Sequence, residues 1–288
     1  MIENNLRVMT FNLLAAGKKQ KRFPWTVRRD GIVAVFESLR PDVVGTQEAN
    51  LQQLHDLRDR LPDYEFTGEG NLGPLHSHNA DSWYSAIFYR RETVRRLPAP
   101  GEAFWLSPQP EQPASRFALA SRPRVAVWSL FEHRRSGRPF LFGTTHLEAF
   151  LPAHRRRGAR LIQEFLARKL REMGPDLPVF LTGDFNAAAH APEIRALGTE
   201  TVERAALFDA WSEAGHREDR DGATFRGLDL RDRLGNLLLG HRRIDYVFFR
   251  PQLEVHAVAR VDFDRILDPA DAPPSDHFPV LAEFKLAG

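Results

Sequence analysis

The segment VFLTGDFNAAA, residues 179–189, begins as a buried strand and breaks on polar side chains. Val179, Phe180 and Leu181 are apolar on successive residues, as in a strand covered on both faces. Asp184 and Asn186 stand at its end. Read alone, GDFN has the composition of a turn. Read as the tip of a core strand, it puts a carboxylate and an amide on a rigid mount. In an extended chain, residues i and i+2 share a side, so both are expected to face one pocket.

The pattern recurs. MTFNLL ends an apolar run on Asn12, DVVGTQE ends one on Glu48, and FLFGTTHLE ends one on His146. RRIDYVFF embeds Asp245 in a strand, and PPSDHFPVLAEF places Asp276 and His277 just before one. Each has a plainer reading alone: Asn12 as a strand terminator, His146 as a core histidine, Asp245 as an ion pair with Arg242 or Arg243, SDH as a helix cap. Together they are harder to dismiss. Desolvating a lone carboxylate is costly, so polar residues at the tips of core strands point to a shared polar pocket.

Outward from this stretch, β-rich runs occupy 6–13, 43–47, 85–90, 124–132, 138–146, 178–183, 243–250, 253–261 and 278–285. Helical period appears at 26–39, where Ile32, Val35, Phe36 and Leu39 align and Pro41 ends the run, and at 155–173. A third helix is expected near 203–214. Many strands with few helices predict an α/β sandwich: two packed sheets covered by helices. No linker or repeat divides the chain, so residues 1–288 are expected to form a single domain.

The chain contains no cysteine, which excludes disulfides, thiolate metal sites and cysteine nucleophiles. A net charge of +2 does not by itself indicate a nucleic-acid binder. No leader-like N-terminus or membrane-length apolar run is present, so a cytoplasmic monomer is expected.

The ordered set MTFNLL, PDVVGTQE, YSAIFYRRE, THLE, LTGDFNA, RIDYVFF and SDHFPVLAEF resembles the endonuclease/exonuclease/phosphatase superfamily over nearly the whole chain. That resemblance implies a four-layer α/β sandwich with two mainly antiparallel sheets. It also implies a metal-dependent phosphoesterase in which water attacks in line. By the same resemblance, Glu48 is the main Mg²⁺ ligand, with Asn12 beside it and Asp276 as a further ligand; Mn²⁺ is a possible substitute. Asp184 would position or deprotonate the water, and Asn186 would orient the phosphate. His277, its tautomer fixed by Asp245, would hydrogen-bond a phosphoryl oxygen. His146 corresponds to the second active-site histidine. Arg124, in RPRVAVW, matches a recurring arginine, and Arg124 and Tyr84 are candidates for substrate binding.

Two departures narrow the reading. THLEAF replaces the stretch typical of apurinic-site endonucleases. Trp83 stands where relatives often carry the glutamate that supports the second histidine, leaving Asp81 or Glu148 as possible replacements. The expected substrate is a phosphate ester, foremost a diester, with DNA or RNA, a phospholipid or a sugar phosphate as alternatives. The rim loops 67–83 and 106–123 carry only Arg116 and Arg122 as positive charges, which disfavours long DNA. Phe104, Trp105 and Phe117 look exposed there. The runs 18–22 and Arg155–Arg157 are candidate polyanion contacts, or solvated segments. An inactive binding module would require a lost motif residue, and none is lost.

Overall fold

The computed structural model describes residues 5–17, 23–98, 102–199, 205–228, 242–250, 253–268 and 271–286. In chain order these form β1 (Asn5–Asn12), α1 (Trp25–Leu39), β2 (Val43–Gln47), α2 (Leu51–Arg60), β3 (Tyr64–Gly70), β4 (Tyr84–Arg90), β5 (Val94–Arg96) and β6 (Glu102–Trp105). They continue through β7 (Val125–His133), β8 (Arg138–His146), α3 (Pro152–Met173), β9 (Val179–Asp184), α4 (Pro192–Leu197), β10 (Phe208–Asp209), α5 (Ala210–Glu213), β11 (Asp245–Phe249), β12 (Glu254–Arg260) and β13 (Val280–Lys285).

One sheet runs β12-β13-β1-β2-β4-β3, the other β10-β11-β9-β8-β7-β5, with β6 also paired to β7. Each sheet has one parallel pair at its centre, β1 with β2 and β8 with β9. Parallel neighbours need a long crossover, and α1 and α3 supply it. The remaining described pairs are antiparallel.

Three apolar layers hold the stack together. Val8, Val43, Phe142, Phe180 and Val280 belong to the layer between the sheets. Ile32, Val35, Phe36, Leu54 and Leu57 seat α1 and α2 on the first sheet. Ile162, Phe165, Leu166 and Leu170 seat α3 on the second. The order helix, sheet, sheet, helix is the expected four-layer sandwich. The sheets approach each other closely at Gly45. A Cβ there would lie 1.9 Å from Thr182 Oγ1 and 2.6 Å from Thr144 Oγ1, so only glycine fits. Beside it, Gln47 donates from Nε2 across the sheets to Thr144 Oγ1 at 3.0 Å.

Several expectations change. Only Ala210–Glu213 is helical within 205–214; Phe208 and Asp209 pair with β11 instead, and 203–204 lie outside the described residues. The run 18–22 also lies outside them. Phe104, Trp105 and Phe117 are buried: β6 pairs with β7 and carries the first two inward, and Phe117 stacks on His154. Arg155 is no solvated helix start: it is buried, with Nε 2.6 Å from Glu193 Oε1 and Nη1 bonded to the carbonyls of Glu148 and Ala149. Among the described residues, no helix is long and apolar enough to cross a membrane.

Candidate active site

The four central strands end together. β1 stops at Asn12, β2 leads into Glu48, β8 stops at His146 and β9 at Asp184. Pairing fixes their neighbours: His146 lies opposite Asp184 in the β8–β9 ladder, and Asp245 lies opposite Asp184 in the β11–β9 ladder. Glu48 and Asn186 leave their strands with positive φ, 71° and 51°. Left-handed backbone is unfavourable for glutamate, and such outliers concentrate at functional sites.

At Asn186 the chain is therefore not extended, and the expected i, i+2 alignment with Asp184 does not hold. Instead the Asn186 N–H donates to Asp184 Oδ1 at 2.9 Å, and its Nδ2 donates to the Leu147 carbonyl at 3.1 Å. The turn and the pocket wall are one feature, since the turn orients the carboxylate.

Asp184 Oδ2 is the hub. It accepts a hydrogen bond from Asn12 Nδ2 at 3.1 Å and lies 3.4 Å from His146 Nε2 and 3.8 Å from His277 Nε2. Asn12 Nδ2 also donates to Glu48 Oε1 at 3.1 Å, and the Ala15 N–H donates to Glu48 Oε2 at 3.3 Å. His277 Nδ1 stands 2.8 Å from Asp245 Oδ2. Thr224 Oγ1 accepts from the backbone N–H groups of Ile244 and Asp245 at 3.0 and 3.1 Å, which anchors the start of β11. Arg243 pairs with Asp209 and Glu218, which leaves Asp245 to the histidine.

The electrostatics follow from enclosure and crowding. Burial, then Asp245 and Glu48, push the Asp184 carboxyl well above the usual carboxylate range against the opposing pull of His277. Burial and Glu48 push Asp276 up as well, opposed by His277 and Arg28. Burial alone would lower His277, but Asp245, then Asp184 and Asp276, raise it well above an ordinary histidine. His146 moves the opposite way: burial, then Arg124, His277 and Arg122 hold it well below, so it is neutral.

Like-charged carboxylates with too few cations among them suit a divalent ion. Ligand atoms of Glu48, His146 and Asp184 lie within 4.8 Å of one another, as do those of Asp184, Asp245 and His277. Asp276, expected as a further ligand, is half-buried and belongs to neither group. Its backbone carbonyl accepts from the N–H groups of Arg226 and Gly227.

The wall beside His146 lacks the expected carboxylate. Asp81 is exposed, and Glu148 is engaged by the Ser121 N–H and Oγ at 3.1 and 2.9 Å. Trp83 is stacked with His146 instead, ring centres 6.4 Å apart and planes at 18°. Tyr84, Arg124 and Arg122 line the same crevice. Two residues escaped the motif reading. Ser275 donates from Oγ to the Asn12 carbonyl at 2.6 Å. The buried Arg28 clamps the carbonyls of Leu13, Leu14 and Pro274. A charge four residues before Ile32, on the apolar stripe of α1, was the available signal for Arg28.

Comparison with known proteins agrees. The family model described as Endonuclease/Exonuclease/phosphatase family matches residues 9–277. The mannosyl-6-phosphatase Bt3783 of Bacteroides thetaiotaomicron is 27% identical and superposes with a TM-score of 0.79, covering 98% of this chain and 100% of that one. Nocturnin of Drosophila melanogaster is 26% identical over 335 residues, a match covering 98% of this chain but 47% of the fly protein. The human Nocturnin catalytic domain shares the fold, with a TM-score of 0.74 at 20% identity over 99% of this chain and 96% of that one. With these strand tips, this four-layer order and this match, the chain belongs to the endonuclease/exonuclease/phosphatase family of metal-dependent phosphoesterases.

Proposed function

We propose that the protein hydrolyses a small phosphoric ester in one Mg²⁺-dependent step, with 1–288 acting as a single catalytic domain. The observation that carries this reading is Asp184 Oδ2, a buried carboxylate oxygen between Asn12 and two histidines. Glu48 is the main holder of the cation, with Asn12 and Asp276 beside it. When bound, the cation would supply neutralisation of the negative charge that develops in the reaction.

Asp184 takes the proton of the attacking water as the new O–P bond forms. The leaving oxygen departs on the far side with the bonding pair, so phosphorus inverts without a covalent intermediate. Asn186, whose amide is steered by the Leu147 carbonyl, orients the phosphoryl group. His277, kept cationic by Asp245, donates from Nε2 to a phosphoryl oxygen. His146, stacked with Trp83, forms the wall of the pocket on the other side. Tyr84 and Arg124 bound the substrate on that side.

The sparse positive charge on the rim and the likeness to a sugar phosphatase favour a small polar ester over long DNA. The test is a panel with Mg²⁺ or Mn²⁺: p-nitrophenyl phosphate, bis-p-nitrophenyl phosphate, mannose 6-phosphate, plasmid DNA, single-stranded RNA and sphingomyelin. Hydrolysis of a small ester that EDTA abolishes supports the reading; turnover unaffected by EDTA, or confined to plasmid DNA, overturns it.

A further inference from the structure

The side chains of two arginines beside His146, Arg122 and Arg124, make no hydrogen bond among the described residues. Arg124, just before β7, is 7% exposed. Its Nε is enclosed with no hydrogen-bond partner; Glu148 Oε2, 4.0 Å away, forms a long ion pair with it but no hydrogen bond. That carboxylate is turned to Ser121. Arg122 is half-buried, and its guanidinium carbon lies 3.4 Å from the centre of the Trp83 ring. Stacking fixes a guanidinium in place but leaves its in-plane N–H donors open. Burying a guanidinium without partners is costly, because water's hydrogen bonds are lost and nothing replaces them. Arg124 is enclosed in this way at its Nε, and the half-buried Arg122 stands beside it along the same crevice.

The phosphoryl group being cleaved already has its own partners in the proposed reaction: Asn186, His277 and the cation. Arg122, and the guanidinium of Arg124, given above only as a wall of the cleft, are additional to these. Both line one crevice with Glu48 and His146, so they adjoin the cleavage centre. The planar fork of arginine matches two oxygens of a tetrahedral oxyanion. Resting on the phosphoesterase reading above, we propose that Arg122, held by Trp83, and Arg124 form an oxyanion subsite for a second phosphoryl group carried next to the one cleaved. Trp83 thus has a use of its own: it exchanges a carboxylate support of His146 for a platform that presents positive charge.

The test compares three probes by calorimetry on the Mg²⁺-saturated protein: methylphosphonate, phosphonoacetate and methylenediphosphonate. Methylenediphosphonate is expected to bind about tenfold tighter than methylphosphonate, the scale of one good charged hydrogen bond. Arg122→Gln and Trp83→Leu should each erase that ratio, with Arg122→Lys intermediate because it keeps charge but loses the fork. Thermal melts identify any variant that fails to fold, and the remaining ones decide the matter. Equal affinities for the three probes, or a ratio that survives Arg122→Gln, overturns the subsite. A clear preference for phosphonoacetate overturns its assignment to phosphate. Because these are binding measurements, the subsite can fail while hydrolysis of p-nitrophenyl phosphate persists, and hydrolysis can fail while the binding ratio stands.

Discussion

His277 bridges two carboxylates: its Nδ1 is 2.8 Å from Asp245 Oδ2 and its Nε2 is 3.8 Å from Asp184 Oδ2. The first contact fixes the tautomer and the charge, so Asp245 and His277 should act as one unit. Asp245→Asn and His277→Ala are each expected to lower kcat/KM strongly, and the double variant should be little worse than either, since members of a unit are non-additive. Losses that simply add would show two independent residues.

Asp184→Asn removes the proposed proton acceptor and keeps the shape. Turnover should fall by about 10²–10⁴-fold, the usual scale of general-base catalysis, with a much smaller change in KM. Steady-state kinetics on p-nitrophenyl phosphate checks this; unchanged kcat with raised KM would make Asp184 a binding residue.

Glu48→Gln keeps the left-handed turn at 48 but removes the charge facing the proposed cation. Mg²⁺ should raise the melting temperature of the wild type and leave that of the variant nearly unmoved, since a ligand stabilises only what it binds. An undiminished shift would remove Glu48 from the ligand set.

Gly45→Ala is expected to destabilise by at least about 1–3 kcal/mol, the cost of overpacking a close-packed interior, because the new methyl meets Thr182 and Thr144 on the facing sheet. Chemical denaturation measures it. A neutral result would mean that the sheets separate freely at this point.

His133 carries a pH prediction away from the cleft. Burial, with Arg135, holds its pKa below the ordinary value despite Asp42, and Ser136 Oγ lies 2.9 Å from its Nδ1. The native state thus binds fewer protons here than the unfolded chain. The stabilisation is present above the unfolded value of about 6.5 and is lost as pH falls toward the depressed native value. His133→Gln should therefore show a shallower loss of stability between pH 7 and 5 than the wild type. Equal slopes would refute the assignment.

The cleft was legible because its physics is written in local order: an apolar run that stops on Asn12, Glu48, His146 or Asp184 has few explanations other than a shared polar pocket. The strands and the two long helices were legible from period. α2 was missed because Leu54 and Leu57 supply most of its buried face, although Asn50 and Gln53 form a reciprocal cap at its start. β3 was missed because TGEG breaks the apolar pattern of a strand that lies at the sheet edge. The turn at Asn186, the burial of Arg155 and the inward packing of Phe104 and Trp105 depend on partners distant in sequence, and no local pattern reports them.

The hydrogen bond from Asn12 to Asp184 joins residues 172 positions apart, and that from Ser275 to the Asn12 carbonyl spans 263. Contacts this remote form late, because the entropy of closing long loops must be overcome before they contribute. The cleft is therefore expected to be completed late in folding. Catalytic activity during refolding should rise only with the slowest structural phase, which makes it a direct clock for completion of the whole topology.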